Sequence, residues 1–298
     1  MLIADVDHEG RIRTLRDEIA FPRLGKGVDL SRMISTETLE RVHRTLKNFK
    51  RISEELRSDK IVACGTSALR DAKNRDDWIR LIKEDLGIGI EVLSGEDEAL
   101  WSFFGAVSEF EGDRHRFAVI DIGGGSTEVT VGTRSKLQLR ESLDIGCVRL
   151  TERILRSSPP EVEQLEEASN AVRESIKSLN PLDSQECDLV GVAGTVTTLA
   201  ALDQNLEEFD VKKIDGHVLF LDRITSLYEK MRRQTLDEIA SSPIIPAGRA
   251  DVLVAGILIL LEFMSYFGFK RIRVSGRGLR YGLVLREYER MRKASGTA

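Results

Sequence analysis

The stretch that decides the fold is RFAVIDIGGGSTEVTVG, residues 116–132. An apolar segment leads to Asp121, three consecutive glycines follow soon after it, and Val129 and Val131 then alternate with polar residues. Because this alternation has the period of a strand and not of a helix, the glycines are predicted to form the turn of a β-hairpin. A dinucleotide-binding turn is excluded, since its glycines open a helix and its third glycine would stand where this chain has Glu128.

The glycine hairpin predicts a phosphate-binding site. The backbone amides of Gly123, Gly124 and Gly125 carry no side chains in front of them, so they are able to converge on phosphate oxygens. The hydroxyls of Ser126 and Thr127 are expected to add to this cradle. An ordinary tight turn is the alternative, because glycine and serine favour turns in general. Three glycines in a row between two acidic residues favour the phosphate site.

A second turn of small residues follows a predicted strand at 188–192. It contains Gly194 and Thr195 and is predicted to open a helix, where backbone amides attract anions. Alone this signal is weak. Together with the glycine hairpin it indicates two turns that face each other across a cleft.

Strands and helices alternate along the rest of the chain, which predicts an α/β protein. The charged segment 109–115 contains a glycine and is the best candidate for a linker between two domains. The predicted elements around it are a strand at 1–6 with its hairpin partner at 11–16, a helix capped by Ser35, a strand at 61–64, a helix at 76–86 ended by Gly87, a strand at 88–93, a helix at 96–110, a strand at 137–143 and a helix at 160–179.

The length, composition and net charge of the chain exclude several classes of protein. With 298 residues and 33.4 kDa, two domains of ordinary size are expected, and 41% hydrophobic residues are enough for a proper core. A net charge of -5 argues against a broad, sequence-independent grip on nucleic acid. The longest apolar stretch, 252–261, is shorter than the roughly 20 residues that cross a bilayer. No export signal is visible at the start, so a cytoplasmic protein is expected. The spacing of the 3 cysteines and 4 histidines predicts neither a disulfide framework nor a zinc site.

Seven segments, in order along nearly the whole chain, resemble successive motifs of the Ppx/GppA phosphatases, which are exopolyphosphatases and guanosine pentaphosphate phosphohydrolases. This resemblance implies an actin-like fold, in which two ribonuclease H-like domains enclose an active cleft. It assigns residues 1–110 and 281–298 to the first domain and 111–280 to the second. The segments are CGTSALRDAKN (64–74), SGEDEALWSFFGAV (94–107), VIDIGGGSTEVTVG (119–132), LDIGCVRLTE (143–152), GVAGTVTTLAAL (191–202), RADVLVAGILIL (249–260) and SGRGLRYGL (275–283).

The resemblance also implies roles for individual residues. Glu98 stands where the family has its catalytic glutamate, and a carboxylate is suited to take a proton from water that attacks phosphorus. The residues alone leave open that the acids at 96–98 only complement a helix dipole. Arg70 matches an arginine of the family, whose planar guanidinium fits phosphate oxygens, although a surface arginine is the simpler interpretation. Asp121 and Glu128 resemble the family's acidic pair, suited to holding Mg²⁺ partly through water.

Other basic residues are left with two interpretations. Arg249 lies just before an apolar helix and either reaches the cleft or closes a structural ion pair. A further group either extends a basic track for a polyanion or is merely solvated; it consists of Arg23, Lys26, Lys73 and Arg75.

The expected function is removal of the terminal phosphate from inorganic polyphosphate or guanosine pentaphosphate by direct attack of water. The alternatives are a non-catalytic regulator that binds polyphosphate or an alarmone, and an actin-like ATPase or kinase. One departure separates this sequence from the family, which begins with a strand and a first phosphate loop that are not found here. Either the true start lies upstream of Met1 or the chain is a shortened relative. A homodimer is compatible with the sequence, which locates no interface.

Overall fold

A computed structural model describes residues 1–110, 115–179, 182–246 and 248–294. Part of the predicted linker, residues 111–114, therefore lies outside the described residues.

The strands are β1 (Leu2–Val6), β2 (Ile12–Asp17), β3 (Ala63–Gly65), β4 (Ile90–Val92), β5 (Phe117–Ile122), β6 (Thr127–Gly132), β7 (Leu137–Leu143), β8 (Asp188–Val192), β9 (Val218–Phe220) and β10 (Arg271–Val274). The helices are α1 (Val28–Ser31), α2 (Thr36–Glu55), α3 (Ser67–Asp71), α4 (Arg75–Leu86), α5 (Gly95–Ala106), α6 (Cys147–Arg153), α7 (Val162–Ile176), α8 (Ala193–Asp203), α9 (Val211–Ile214), α10 (Leu221–Met231), α11 (Leu236–Ala240), α12 (Ala250–Phe267) and α13 (Leu279–Ala294).

The largest sheet has six strands in the order β7-β6-β5-β8-β10-β9. Its strands β5, β6 and β7 form an antiparallel meander, and β8 runs parallel to β5 on the other side. The predicted glycine hairpin is confirmed, because β5 and β6 pair in a register that sets Asp121 opposite Glu128. The two acids of the hairpin therefore lie side by side at its closed end.

One face of this sheet is covered by helices, chiefly α7, α8, α10 and α12, which form the main core. Helix α12 is apolar almost all round, as expected of a helix buried on every side. It is also long and apolar enough to cross a membrane, but most of it is buried inside the protein, as in a core helix. The burial predicted for the apolar stretch 252–261 is confirmed.

Helix α5 covers the opposite face of the six-stranded sheet. Its Phe103 and the next residue after the helix, Val107, pack in a separate core with Phe117 of β5 and Val190 of β8. Helix α13 packs against α5 and also against β1. Helix α5 is thus held between the large sheet and the elements near the start of the chain.

The first part of the chain is built from smaller units. β1 and β2 form an antiparallel hairpin, β3 and β4 form a parallel pair, and the two pairs are separate sheets. Helices α2 and α4 enclose a core around Leu69, Trp78 and Ile82. In the large sheet β5 joins the hairpin partner β6 to the parallel strand β8, whereas no described strand joins β1 to β3 in the same way.

Two predicted helix ends are confirmed. Ser35 accepts a hydrogen bond from the amide of Thr38 at the start of α2. Gly87 ends α4 in the left-handed conformation, with φ 68°, which glycine adopts without strain. The predicted length of α5 was less accurate, since the helix ends at Ala106 and not near residue 110. Just after this end, the hydroxyl of Ser108 donates to the carbonyl of Gly105 and so competes with the next helical hydrogen bond.

Candidate active site

The glycine loop between β5 and β6 is held by its carbonyl groups. The carbonyl of Gly123 accepts from the amide of Cys147 at 3.0 Å, and that of Gly124 accepts from the next two amides of α6 at 2.8 and 3.0 Å. The carbonyl of Gly125 accepts from Nε of Arg149 at 2.7 Å. Three successive peptide units are therefore oriented by the start of α6.

This orientation directs three amides away from α6. In a trans peptide the N–H points opposite to the C=O, so the amides of Gly124, Gly125 and Ser126 face the other side of the loop. None of these three amides has an acceptor among the described residues, whereas the amide of Gly123 closes the hairpin on the carbonyl of Ser126 at 3.0 Å. A concave set of unpaired amides is a site for an anion.

Helix α3, from the first part of the chain, faces this loop. A Cβ atom on Gly125 would lie 2.4 Å from Oγ of Ser67, so only glycine permits the approach. Arg70 of α3 donates from Nη1 to Oε2 of Glu98 at 2.6 Å and from Nη2 to Oγ of Ser126 at 3.4 Å. One guanidinium thus connects the predicted catalytic acid with the predicted phosphate loop.

Helix α5 places Glu98 in the cleft. The helix begins at Ser94, whose side chain accepts from the amide of Asp97, and its apolar face packs on the large sheet. Glu98 lies on the packed side and is 8% exposed, whereas the side chain of Glu96 is 68% exposed and pairs with Arg140. The three neighbouring acids are therefore not equivalent, although the sequence did not separate them.

Asp121 and Glu128 lie close to Glu98. Asp121 accepts a hydrogen bond from Ser102 of α5 at 2.5 Å. Glu128 accepts one from Ser142 at 2.7 Å through Oε1, while its buried Oε2 has no partner. An unpaired buried carboxylate oxygen beside two other acids fits a bound cation.

Burial raises the pKa of all three carboxyl groups. For Glu98 the hydrogen bond from Arg70 opposes burial, and the charge of Asp121 adds to it. The pKa of Glu128 is raised well above its ordinary value, because the charges of Glu98 and Asp121 add to burial. Among the described residues no three His, Cys, Asp or Glu side chains form a ready metal site. A hard cation bound here would therefore keep several waters, as Mg²⁺ commonly does.

The second predicted turn lies at the start of α8, which has no side-chain cap. Its first residue, Ala193, has φ 64°, a strained value for a residue with a side chain. Arg249 occupies the space beside Gly194, where a Cβ atom would lie 0.8 Å from Nη1. The guanidinium of Arg249 stacks on Phe21 at 4.7 Å, forms no ion pair within the described chain, and has its pKa lowered by burial. It points to the helix start rather than closing a structural ion pair.

Two predicted hydroxyl groups are used elsewhere. The hydroxyl of Thr127 donates to the carbonyl of Ile145 at 2.6 Å inside the sheet, so its predicted contribution to the phosphate cradle is wrong. The hydroxyl of Thr195 is packed towards α12, where a Cβ atom on Gly256 would lie 2.2 Å from it. The hydroxyl of Thr195 is therefore directed into the core and not to the glycine loop.

The basic residues named from the sequence have different surroundings. Arg75 donates to the carbonyl of Arg70 at 2.9 Å and supports it from behind. Arg23 pairs with Asp251, whereas Lys26 is exposed and forms no ion pair among the described side chains. For Lys73 the structure gives a backbone bond to Arg32.

Sequence reasoning missed Arg149 as part of the site. Besides holding Gly125, its buried guanidinium pairs with Asp29 at 2.9 Å and with Asp71 at 2.5 Å. Both acids come from the first part of the chain, so this arginine joins the two halves beneath the glycine loop. Its position inside the motif LDIGCVRLTE was the available signal.

Comparison with known proteins agrees with this geometry. The model of the Ppx/GppA phosphatase family matches residues 2–291. The chain belongs to the Ppx/GppA phosphatase family. The predicted resemblance and the prediction of a phosphoanhydride hydrolase are thereby confirmed.

Two curated relatives show how far the similarity extends. "Exopolyphosphatase 2" of Mycobacterium tuberculosis is 33% identical over 96% of this chain and 93% of that protein. A "Bifunctional 3-dehydroquinate synthase/phosphatase" of Fusobacterium nucleatum is 30% identical over 97% of this chain, which spans 45% of that longer protein.

Solved structures confirm the actin-like α/β fold. The crystal structure of an exopolyphosphatase-like protein has a TM-score of 0.89 and 32% identity, and the match covers 94% of each chain. A Ppx/GppA family member from Aquifex aeolicus has a TM-score of 0.81 and 28% identity over 97% of this chain and 94% of that one.

Proposed function

We propose that this Ppx/GppA family member removes the terminal phosphate from inorganic polyphosphate, with Glu98 accepting a proton from the attacking water. The observation that carries this proposal is the contact of Arg70 with both Glu98 and Ser126. It sets a buried carboxylate beside a loop with three unpaired amides. Guanosine pentaphosphate presents the same kind of terminal anhydride and is the second candidate substrate.

The terminal phosphoryl group would be held by two kinds of donor. The amides of Gly124, Gly125 and Ser126 face outward from α6 and would bind its oxygens. Arg70 would offer its planar fork to the same group, exchanging part of its contact with Glu98 for the substrate. The start of α8 and Arg249, which has no carboxylate partner in the described structure, would hold the next phosphate.

In the chemical step the oxygen of water forms a bond to the terminal phosphorus while the bridging P–O bond breaks. The shortened chain leaves with the electrons of that bond, and the water proton passes to the carboxylate of Glu98. Burial raises the pKa of Glu98, which makes its carboxylate a better base near neutral pH than an exposed glutamate.

The acidic pair Asp121 and Glu128 would hold a divalent cation, for which Mg²⁺ is the proposed identity. The unpaired Oε2 of Glu128 is the available ligand atom. When bound, such a cation supplies positive charge that stabilises phosphate oxygens in the transition state. Location in the cytoplasm and assembly as a homodimer stay predictions.

The first test compares two equal substitutions on one helix. Glu98→Gln is expected to lower phosphate release from polyphosphate by about 10²–10⁴-fold, because the proton acceptor is lost. Glu96→Gln is the matched control, since Glu96 lies in the same turn but is exposed, and it should keep the normal rate. Release of phosphate is measured over time with a colorimetric assay.

Three outcomes contradict the proposal in different ways. A Glu98→Gln variant with the normal rate removes Glu98 from the mechanism. A wild-type chain that binds polyphosphate without turnover favours the non-catalytic regulator. If guanosine pentaphosphate is cleaved rapidly and polyphosphate slowly, guanosine pentaphosphate is the preferred substrate.

A further inference from the structure

Two open cavities lie beside the cleft, outside the residues assigned to the reaction. The inner cavity, of about 340 Å³, is lined by Arg23, Lys26 and Arg41 from the first part of the chain and by α6 and α12 from the second. The outer cavity, of about 380 Å³, is lined by Arg41, Arg44 and the segment that contains Phe21. Because Arg41 lines both, the two cavities adjoin.

The inner cavity lies on the α6 side of the glycine loop, opposite the face with the three unpaired amides. Val148 lines this cavity, and a Cβ atom on Gly124 would lie 3.2 Å from its Cγ2. The outer cavity is connected to the second phosphate turn, since Phe21 lines it and carries the guanidinium of Arg249 at 4.7 Å. The outer cavity therefore continues from Arg249, which the proposed reaction places on phosphate, and the inner cavity adjoins the outer one through Arg41.

The four basic side chains of these cavities, Arg23, Lys26, Arg41 and Arg44, are here called the rim cluster. Two members are paired: Arg23 with Asp251, and Arg41 with Glu37 at 2.6 Å. Arg41 is also fixed by a hydrogen bond to the hydroxyl of Thr38 at 2.8 Å.

Lys26 and Arg44 are exposed and form no ion pair within the described part of the chain. One acid that lines the inner cavity, Glu152, is engaged by the amide of Gly27 at 3.0 Å. Lys26 and Arg44 thus lie on either side of a positioned arginine. The combined linings hold four cationic side chains and two anionic ones, Glu152 and Asp251, so an extended anion is favoured.

We propose that the rim cluster binds the internal phosphates of a long linear polyphosphate whose end lies in the glycine loop. This subsite deepens the proposed function and rests on it for the position of the chain end. A linear polyphosphate fits better than a nucleoside, because Phe21, the aromatic residue of these linings, already stacks with Arg249. Because the contacts are exposed and cationic, the affinity should rise with the length of the polyphosphate and fall with salt concentration.

The test reverses the two unpaired charges and compares long with short substrates. The double variant K26E/R44E is expected to raise KM for long-chain polyphosphate roughly tenfold and to leave kcat unchanged. Tripolyphosphate has one phosphate beyond the two that the glycine loop and Arg249 are proposed to hold, so its KM and kcat should change much less than those for the long chain. The salt dependence of KM for the long chain should also become shallower.

The matched control is K212E/K213E, which changes the net charge equally. Both lysines are exposed on the short helix α9 and form no ion pair among the described side chains. An equal rise of KM in this control, or an equal rise for tripolyphosphate, overturns the subsite. So does an unchanged KM for the long chain in K26E/R44E.

A binding measurement separates this inference from the proposed function. Calorimetric titration of long-chain polyphosphate into the Glu98→Gln protein, with and without K26E/R44E, reports affinity without turnover. Weaker binding after charge reversal supports the subsite even if the wild type hydrolyses no polyphosphate, in which case only the proposed function fails. Equal binding with normal hydrolysis overturns the subsite alone.

Discussion

Each carboxyl group of the site destabilises the folded protein when it is ionised. Glu98, Asp121 and Glu128 each have a pKa raised first of all by burial, and the shift is largest for Glu128. A raised pKa of an acid means that the folded state disfavours the ionised form. Proteins tolerate such groups at sites where a cation or substrate relieves the charge.

Glu128→Gln is therefore expected to stabilise the protein while it impairs catalysis. Below the unfolded value of 4.5 the glutamate is protonated in both states, so the variant and the wild type should have similar stability there. As the pH rises from 4.5 through the raised folded pKa, the free energy of unfolding of the wild type falls, because its folded state must hold a buried charge that glutamine lacks. Melting temperature measured against pH should show a gain that grows with pH, and phosphate release should fall.

Two comparisons check this interpretation. Glu166→Gln on the exposed side of α7 should show no such pH-dependent gain. Added Mg²⁺ should raise the melting temperature of the wild type more than that of Glu128→Gln. A variant less stable than the wild type at neutral pH would contradict the cost assigned to Glu128.

Among the secondary elements, the crossing of α5 and α13 decides where Glu98 lies. The two helices touch through backbone atoms: a Cβ atom on Gly105 would lie 2.1 Å from the carbonyl oxygen of Gly278, and one on Gly282 would lie 1.8 Å from that of Trp101. Because these contacts involve backbone atoms, neither helix could relieve the overlap by moving a side chain. The position of α5, and of Glu98 on it, is therefore set by two glycines far apart in sequence.

Gly282→Ala is expected to push α13 away from α5. Overpacking of this kind typically costs about 1–3 kcal/mol, and here it also displaces the helix that carries Glu98. Unfolding in urea should show the loss, and phosphate release should fall although no residue of the glycine loop has changed.

Gly89→Ala is the control, since a Cβ atom there meets nothing within 4 Å. It should leave both stability and activity unchanged. Normal activity in Gly282→Ala would show that the helix crossing does not position Glu98.

For the molecule as a whole, Arg149 is a buried connection between the two halves beneath the cleft. It joins Asp29 and Asp71 of the first part to Gly125 of the second. Although burial alone would raise the pKa of Asp29, the hydrogen bond from Arg153 and the charge of Arg149 hold it below the ordinary value. The stability that comes from Asp29 is thus present above pH 3.8 and is lost as the pH falls through its lowered folded pKa.

Arg149→Ala is expected to lower the free energy of unfolding by about 1–3 kcal/mol, because Asp29 and Asp71 lose their buried partner and keep only the half-exposed Arg153 and Arg32. Activity should fall as well, since the carbonyl of Gly125 loses its donor. The loss of stability should shrink in acid, where the acids become protonated. Denaturant titrations at several pH values measure both effects of this substitution on stability, and phosphate release measures its effect on activity.

Arg80→Ala is the matched control, because the side chains of Arg80 and Asp77 are 67% and 78% exposed in their pair and such pairs contribute little. A loss in Arg149→Ala no larger than in this control would contradict the role assigned to Arg149.

Local patterns were sufficient for much of the architecture. The alternation of Val129 and Val131 predicted a strand after the glycines, and Ser35 and Gly87 marked helix ends that the structure confirms. These features depend on short-range sterics and on the period of side chains, both of which are written in neighbouring residues. The order of motifs along the chain also indicated the family, and the family match confirms it.

The sequence by itself therefore determined the α/β class, the glycine hairpin and the family. Only the tertiary structure decided which acid of 96–98 is buried and in which direction the loop amides point. It also decided that the hydroxyl of Thr127 donates to the carbonyl of Ile145. The physical reason is that burial, hydrogen-bond direction and pKa depend on groups distant in sequence. Arg70, Glu98 and Ser126 meet because three separate elements pack together, and no local pattern encodes that meeting.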